Sequence, residues 1–179
     1  MADRIVFCYT ENQAKIDDLK KLIPQIELCK GFTPELYESH DPSKHMLLIC
    51  DDLMNTDIYS HLSDLFTKIS RHRNISVIWI TQCAYFKGQP TAVRHNRDLL
   101  QNTTEVVLFR SPRDKITVLN IGRSSFPSNY RWFVEVYEDA TKERFGYLML
   151  SFHPQARVEL MLRTKIFYNI ETPHLYLRR

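Results

Sequence analysis

Short apolar runs alternate with amphipathic stretches along most of this chain. Arg4–Tyr9, with Ile5, Val6 and Phe7, reads as a β-strand. Ile16, Leu19, Leu22 and Ile23 recur at helical spacing behind it, with Lys15, Asp17, Asp18, Lys20 and Lys21 on the other side, and Pro24 ends the helix. Ile26–Cys29 predicts a brief strand, and Pro34–Ser39 a single helical turn. Met46–Cys50 is apolar at every position, the pattern of a central strand buried on both faces. A second amphipathic helix follows over Asp57–Arg71, with Ile58, Leu62, Leu65, Phe66 and Ile69 as its stripe. Ile75–Thr81 is a further buried-type strand, ending at Gln82.

The next segment, Lys87–Asn102, is polar and reads as an exposed loop with a short helix. Glu105–Arg110 predicts a strand, and Pro112 opens a helix through Ile121 that Gly122 caps. Tyr130–Thr141 reads as a helix, Phe145–Phe152 and Leu162–Tyr168 as strands, and Glu171–Arg179 as a loose tail. Strand–helix alternation through residue 121 implies an α/β fold: a mostly parallel sheet flanked by helices, with additional C-terminal strands. The expected division is a core over 1–152, with 153–179 as a C-terminal strand and tail of the same domain.

Composition narrows the function classes. The 179 residues are 44% hydrophobic and 25% charged, with only 4 Gly and 8 Pro, as in a globular chain with a real core. The net charge of +3 is too small to imply nucleic-acid binding by itself. No apolar run approaches the length of a membrane span, and the N-terminus does not resemble a signal peptide, so the chain is expected to be intracellular (cytoplasm, nucleus or viral factory) without membrane contact. Cys8, Cys29, Cys50 and Cys83 form no C-x-x-C pair and read as reduced, mostly buried thiols.

In parallel sheets, ligands bind beyond the carboxyl ends of the strands. Asp51 and Asp52 follow the Met46–Cys50 strand there, as P-loop NTPases place a carboxylate on Mg²⁺. Asp51 would hold the metal and Asp52 would orient or activate a water. Gln82 would sense phosphate or position water from the adjacent strand. Arg71 and Arg73 precede that strand at a helix C-terminus, where cations are favoured. One of them could also reach a neighbouring subunit's nucleotide, as arginine fingers do.

The block L-L-I-C-D-D-L-M (47–54), with S-D-L-F-T-K-I-S-R-H-R-N-I-S-V-I-W-I-T-Q (63–82) and V-V-L-F-R-S-P-R-D-K (106–115), resembles the genome-packaging ATPases of large DNA viruses and Maverick/Polinton elements. These are poxvirus-like members of the HerA–FtsK superfamily of P-loop NTPases. The resemblance runs from Arg4 to about Leu150. It implies an ATP-driven, Mg²⁺-dependent, ring-forming motor acting on double-stranded DNA. Asp51 then matches the magnesium acid, Asp52 the position where many members carry Glu, Gln82 the sensor amide, and Arg71 the arginine before the sensor strand, with Arg73 as its competitor. The chain departs from the family at the phosphate loop. None of Gly31, Gly88, Gly122 and Gly146 belongs to a G-x-x-x-x-G-K-[ST] motif. The chain is therefore read as a fragment or degenerate form, beginning after the strand that carries that loop and unable to hydrolyse ATP alone.

Two other readings fit parts of the pattern. A phospho-receiver domain also places an acid after a central strand (Asp51), a hydroxyl after the next (Thr81) and a basic residue with a nearby proline after the fifth (Arg110, Pro112), but the residues after the first strand, Thr10 and Glu11, are not its acidic pair. A non-catalytic DNA-binding subunit would use Arg71/Arg73, Arg94/Arg97, Arg110/Arg113/Lys115 and Arg163/Lys165/Arg178/Arg179, with Tyr85, Phe86, Tyr130, Trp132, Tyr168 and Tyr176 nearby.

Overall fold

The computed structural model describes residues 2–11, 14–53, 56–82, 98–167 and 170–177. Its contacts divide the chain into two compact units, Met1–Asn102 and Thr103–Arg179, with the division falling inside the 1–152 segment.

The first unit carries a parallel sheet in the order β2-β1-β3-β4, built from β1 (Arg4–Tyr9), β2 (Ile26–Lys30), β3 (Met46–Asp51) and β4 (Ile75–Ile80). β3 is interior, with β1 on one side and β4 on the other. Alternate residues divide its two faces. On one face Val6, Cys8, Met46, Leu48, Cys50 and Ile75 are buried, and Leu62, Leu65, Tyr37 and Leu99 pack over them. On the other, Phe7 and Ile26 are buried beneath Ile16 of α1 (Ala14–Leu22). That cover does not reach β4, where Ile78 and Ile80 are each 46% exposed. The run I-S-V-I-W-I, apolar but for Ser76, therefore suggests a strand buried on both faces, whereas only its Ile75–Val77–Trp79 face is packed. Periodicity cannot separate an end strand from an interior one.

The helix after β3 begins as α3 (Thr56–Asp64), widens into a π-helical turn at Leu65–Ile69, and closes with Ser70–His72. At the junction the Thr67 hydroxyl donates to the Ser63 carbonyl at 2.7 Å, a local competitor of the helical ladder. Leu62 and Leu65 remain fully buried across the change of pitch. The turn before it, α2 (Glu35–Glu38), supplies Tyr37 to the same core.

The second unit overturns the expectation that the next strand extends the parallel sheet. β5 (Glu105–Phe109) pairs antiparallel with β6 (Tyr147–Ser151), and β6 pairs antiparallel with β7 (Leu162–Arg163). Two helices, α4 (Lys115–Ser125) and α5 (Tyr130–Ala140), bury Val118, Ile121, Phe133, Val136, Tyr137 and Ala140 against Leu148, Leu150 and Leu162. The start of α4 is set by Asp114, whose carboxylate accepts the Thr117 backbone N–H at 3.2 Å, rather than by Pro112. Gly122 lies inside that helix instead of capping it: a Cβ there would come within 2.8 Å of the Phe133 ring. Its lack of a side chain lets α5 approach α4 closely.

The C-terminal residues are not loose where they are described. Leu175 bridges Arg163, the Tyr176 N–H donates to the Leu162 carbonyl at 3.0 Å, and the Tyr176 hydroxyl donates to Asp139 of α5 at 2.7 Å. Of the expected strand Leu162–Tyr168, the described residues are extended in pairing only over Leu162–Arg163, and Tyr168 lies outside the described residues. Most of the polar segment 87–102 lies outside the described residues, of which 98–102 are helical. No helix among the described residues is long and apolar enough to cross a membrane.

Candidate functional site at the carboxyl ends of β3 and β4

The order β2-β1-β3-β4 reverses between β1 and β3. Successive crossovers place α1 on one face and α3 on the other, so the connections diverge at this point, the place in such sheets where ligands generally bind. Tyr9 and Asp51 are register partners across it, and Asp51 is in turn opposite Ile80 of β4. The parallel crossover from β3 through α3 to β4 brings Asp51, Asp52 and Gln82 to the same end of the sheet, as their sequence positions predict.

Asp52 is held in a specific conformation. Its φ of 49° places it in the left-handed region, where Asp is tolerated better than most residues. The backbone N–H donates to the Ile80 carbonyl at 3.0 Å, continuing the ladder one step past β3. The Gln82 side-chain amide donates to the Asp52 carboxylate at 3.3 Å. The two residues picked out from separate strands thus form one polar contact. Leu53, 1% exposed, anchors the chain immediately beyond.

Partial burial raises the Asp51 carboxyl above the ordinary Asp range, and the adjacent Asp52 charge raises it further. An acid raised on folding binds more protons folded than unfolded. Stability is therefore lost as pH rises from the unfolded pKa through the raised folded one. Asp51→Asn removes that penalty. The variant is expected to melt higher than wild type at pH 7, with the difference vanishing below about pH 3, where both states are protonated. Thermal melts at the two pH values check this; an unchanged or lowered melting temperature at pH 7 contradicts it.

The two arginines belong to the opposite end of the sheet, before β4 rather than after it. Arg73 donates to the carbonyls of Glu38 at 2.7 Å, Tyr37 at 3.3 Å and His40 at 3.4 Å, at and just beyond the end of α2. Arg71 is exposed. Arg73→Ala is expected to cost about 1–2 kcal/mol through those charge-assisted bonds. Arg71→Ala should stay within about 0.5 kcal/mol of wild type. Urea unfolding of both variants checks the contrast.

Of the basic groups weighed for DNA contact, Arg94, Arg97, Arg178 and Arg179 lie outside the described residues. Arg163 is only 4% exposed and donates to the carbonyls of Leu160 and Lys165, so it is part of the interior. Arg110 and Arg113 are exposed on a loop held by Tyr137, whose hydroxyl donates to the Phe109 carbonyl and accepts the Ser111 N–H, each at 3.0 Å, and Lys115 is exposed at the start of α4. Arg123 and Arg131 both lie over the Tyr130 ring, 5.4 and 6.0 Å from its centre. That contact joins α4 to α5 and carried no signal in the sequence pattern.

The receiver-like reading meets one departure in the pairing of β5. It needs Arg110 to follow a parallel neighbour of β4, whereas β5 pairs antiparallel with β6. Among the described residues no three His, Cys, Asp or Glu side chains converge as a metal chelate. Asp51 and Asp52 suit a Mg²⁺ ion that takes its remaining ligands from water or phosphate. They do not suit a triphosphate alone, because two carboxylates repel it and the sequence offers no glycine-rich loop with a lysine to oppose them.

Comparison with protein-family models, curated proteins and solved structures finds no match for this chain.

Proposed function

We propose that this chain is a fragment or degenerate form of a DNA-packaging ATPase of the HerA–FtsK type, one that retains the acid-and-sensor half of the nucleotide site without its phosphate loop. The Gln82–Asp52 hydrogen bond between the ends of adjacent parallel strands carries this reading, because it unites two residues that the resemblance assigns to one reaction centre. In that role Asp51 would hold Mg²⁺, Asp52 would orient water, and Gln82 would set the position of the Asp52 carboxylate. β4 ends the order of the four described strands, and in that superfamily the loop-bearing strand packs beside the sensor strand. Arg71 is the better candidate for action on a neighbouring subunit, since Arg73 is committed to the end of α2. Ring assembly and double-stranded DNA as cargo follow from the same proposal.

Calorimetry and a phosphate-release assay test it. Millimolar Mg²⁺ alone is expected to stabilise the wild-type chain but not Asp51→Asn. MgATP is expected to show neither tight binding nor turnover. Micromolar MgATP binding with steady phosphate release from the isolated chain would overturn the reading, as would equal Mg²⁺ stabilisation of both proteins.

A further inference from the structure

Three cysteines share one row of the parallel sheet. Cys8 of β1 is the register partner of Cys29 on β2 and of Cys50 on β3. In-register residues of parallel strands project to the same face, so the three thiols form a line across β2-β1-β3. All three are free; Cys8 and Cys50 are buried, while Cys29 on the end strand is half-exposed.

The spacing of the row selects among the reactions open to thiols. Neighbouring strands lie about 4.8 Å apart. A disulfide needs Cβ atoms about 3.5–4.5 Å apart, so bonding two of these sulfurs directly would pull the strands together. A tetrahedral zinc site needs ligands arranged around a point, and a line of thiols does not provide that. This agrees with the absence of a three-donor cluster among the described residues. Two metal–thiolate bonds of about 2.3 Å laid end to end span about 4.6 Å, close to the strand spacing. Thiolate ligands in a two-coordinate geometry suit a soft monovalent cation.

We propose that Cys8 and Cys29 form a digonal site for a soft monovalent d10 cation, Cu(I) or its redox-inert analogue Ag(I). The cation inserts between the two sulfurs, each thiol releases its proton to solvent, and no electron is transferred. Cys29 gives access from solvent and keeps one side of the bis-thiolate hydrated. Cys50 is too deep to serve as first contact and extends the row on the buried side. The site uses none of Asp51, Asp52 or Gln82, so it stands or falls separately from the nucleotide reading.

The test uses the reduced 179-residue chain carrying Cys83→Ser, which leaves only the three thiols of the row. Silver nitrate is titrated in chloride-free buffer, and retained metal is read by native mass spectrometry and by ultraviolet thiolate-to-metal absorption. Retention of about one Ag(I) per chain is expected. It should be lost in Cys29→Ser and in Cys8→Ser and kept in Cys50→Ser. Because Cys8 is a core residue, circular dichroism accompanies each variant, and the half-exposed Cys29→Ser gives the decision if Cys8→Ser does not fold. Cu(I) supplied anaerobically as its acetonitrile complex should compete for the same site, and Zn(II) should not. Equal retention by Cys29→Ser and its parent, loss in Cys50→Ser alone, or displacement of Ag(I) by Zn(II) would each overturn the assignment.

Discussion

Phe133→Ala is expected to cost about 3–5 kcal/mol, the usual range for removing a large aromatic side chain from a packed core. Phe133 is fully buried on α5, stacks on Phe126 at a ring-centre distance of 5.2 Å, and faces the bare Cα of Gly122 on α4. Removing the ring leaves a void that α4 cannot fill, because Gly122 has no side chain to extend into it. Phe126 also loses its stacking partner, although its edge contact with Trp132 remains. Trp132 belongs to the second unit and Trp79 to the first, so unfolding followed through Trp132 in a Trp79→Phe background reports the relevant core. The urea midpoint should fall sharply, and Phe133→Leu should recover a large part of the loss. A cost under about 1 kcal/mol would mean that this core does not depend on the α4–α5 contact.

The second large effect is kinetic and rests on the proposed function. In an assembly that mixes this chain with subunits carrying a complete phosphate loop, Arg71→Ala is expected to lower the neighbour's hydrolysis rate by roughly three to five powers of ten, the worth of an arginine finger. Nucleotide affinity should change little, because the guanidinium acts on charge that develops in the transition state. Arg71 is exposed before β4, at the opposite end of the strand from Gln82, so any such action is on another subunit's site. Arg73→Ala is the matched control: it should lower stability through its bonds to the end of α2 and leave the neighbour's rate intact once the protein is folded. Unchanged turnover with Arg71→Ala removes the trans role.

Asp51 adds a consideration on stability. Burial and Asp52 both oppose its ionisation, so the folded state bears a cost at neutral pH that an amide would not carry. Asp52 adds a left-handed backbone in a position already tied to Ile80 and Gln82. Like-charged carboxylates with local strain at a strand end are features that a bound cation would offset.

Local pattern was enough to place most elements. The spacing of Ile16 and Leu19, or of Ile58, Leu62 and Leu65, defines a buried helical stripe whatever it packs on, and the apolar runs at Met46 and Ile75 define strands. One helical crossover between those runs also made them parallel neighbours, which brought Asp51, Asp52 and Gln82 to one end of the sheet. Pairings between distant segments were beyond that logic. Nothing within Glu105–Arg110 states that its partner is Tyr147–Ser151 or that the pair runs antiparallel, because strand pairing depends on residues far away in sequence. The exposure of Ile78 and Ile80 depends on what lies above the sheet rather than on the strand's own residues. By sequence alone Gly122 reads as a helix cap and Arg73 as a helix C-terminal cation or finger candidate; Phe133 against the one and the end of α2 beside the other decide differently. The alignment of Cys29, Cys8 and Cys50 arises in the same way: each is an ordinary core cysteine in its own strand, and only the registers of two strand pairs set the three sulfurs in one row.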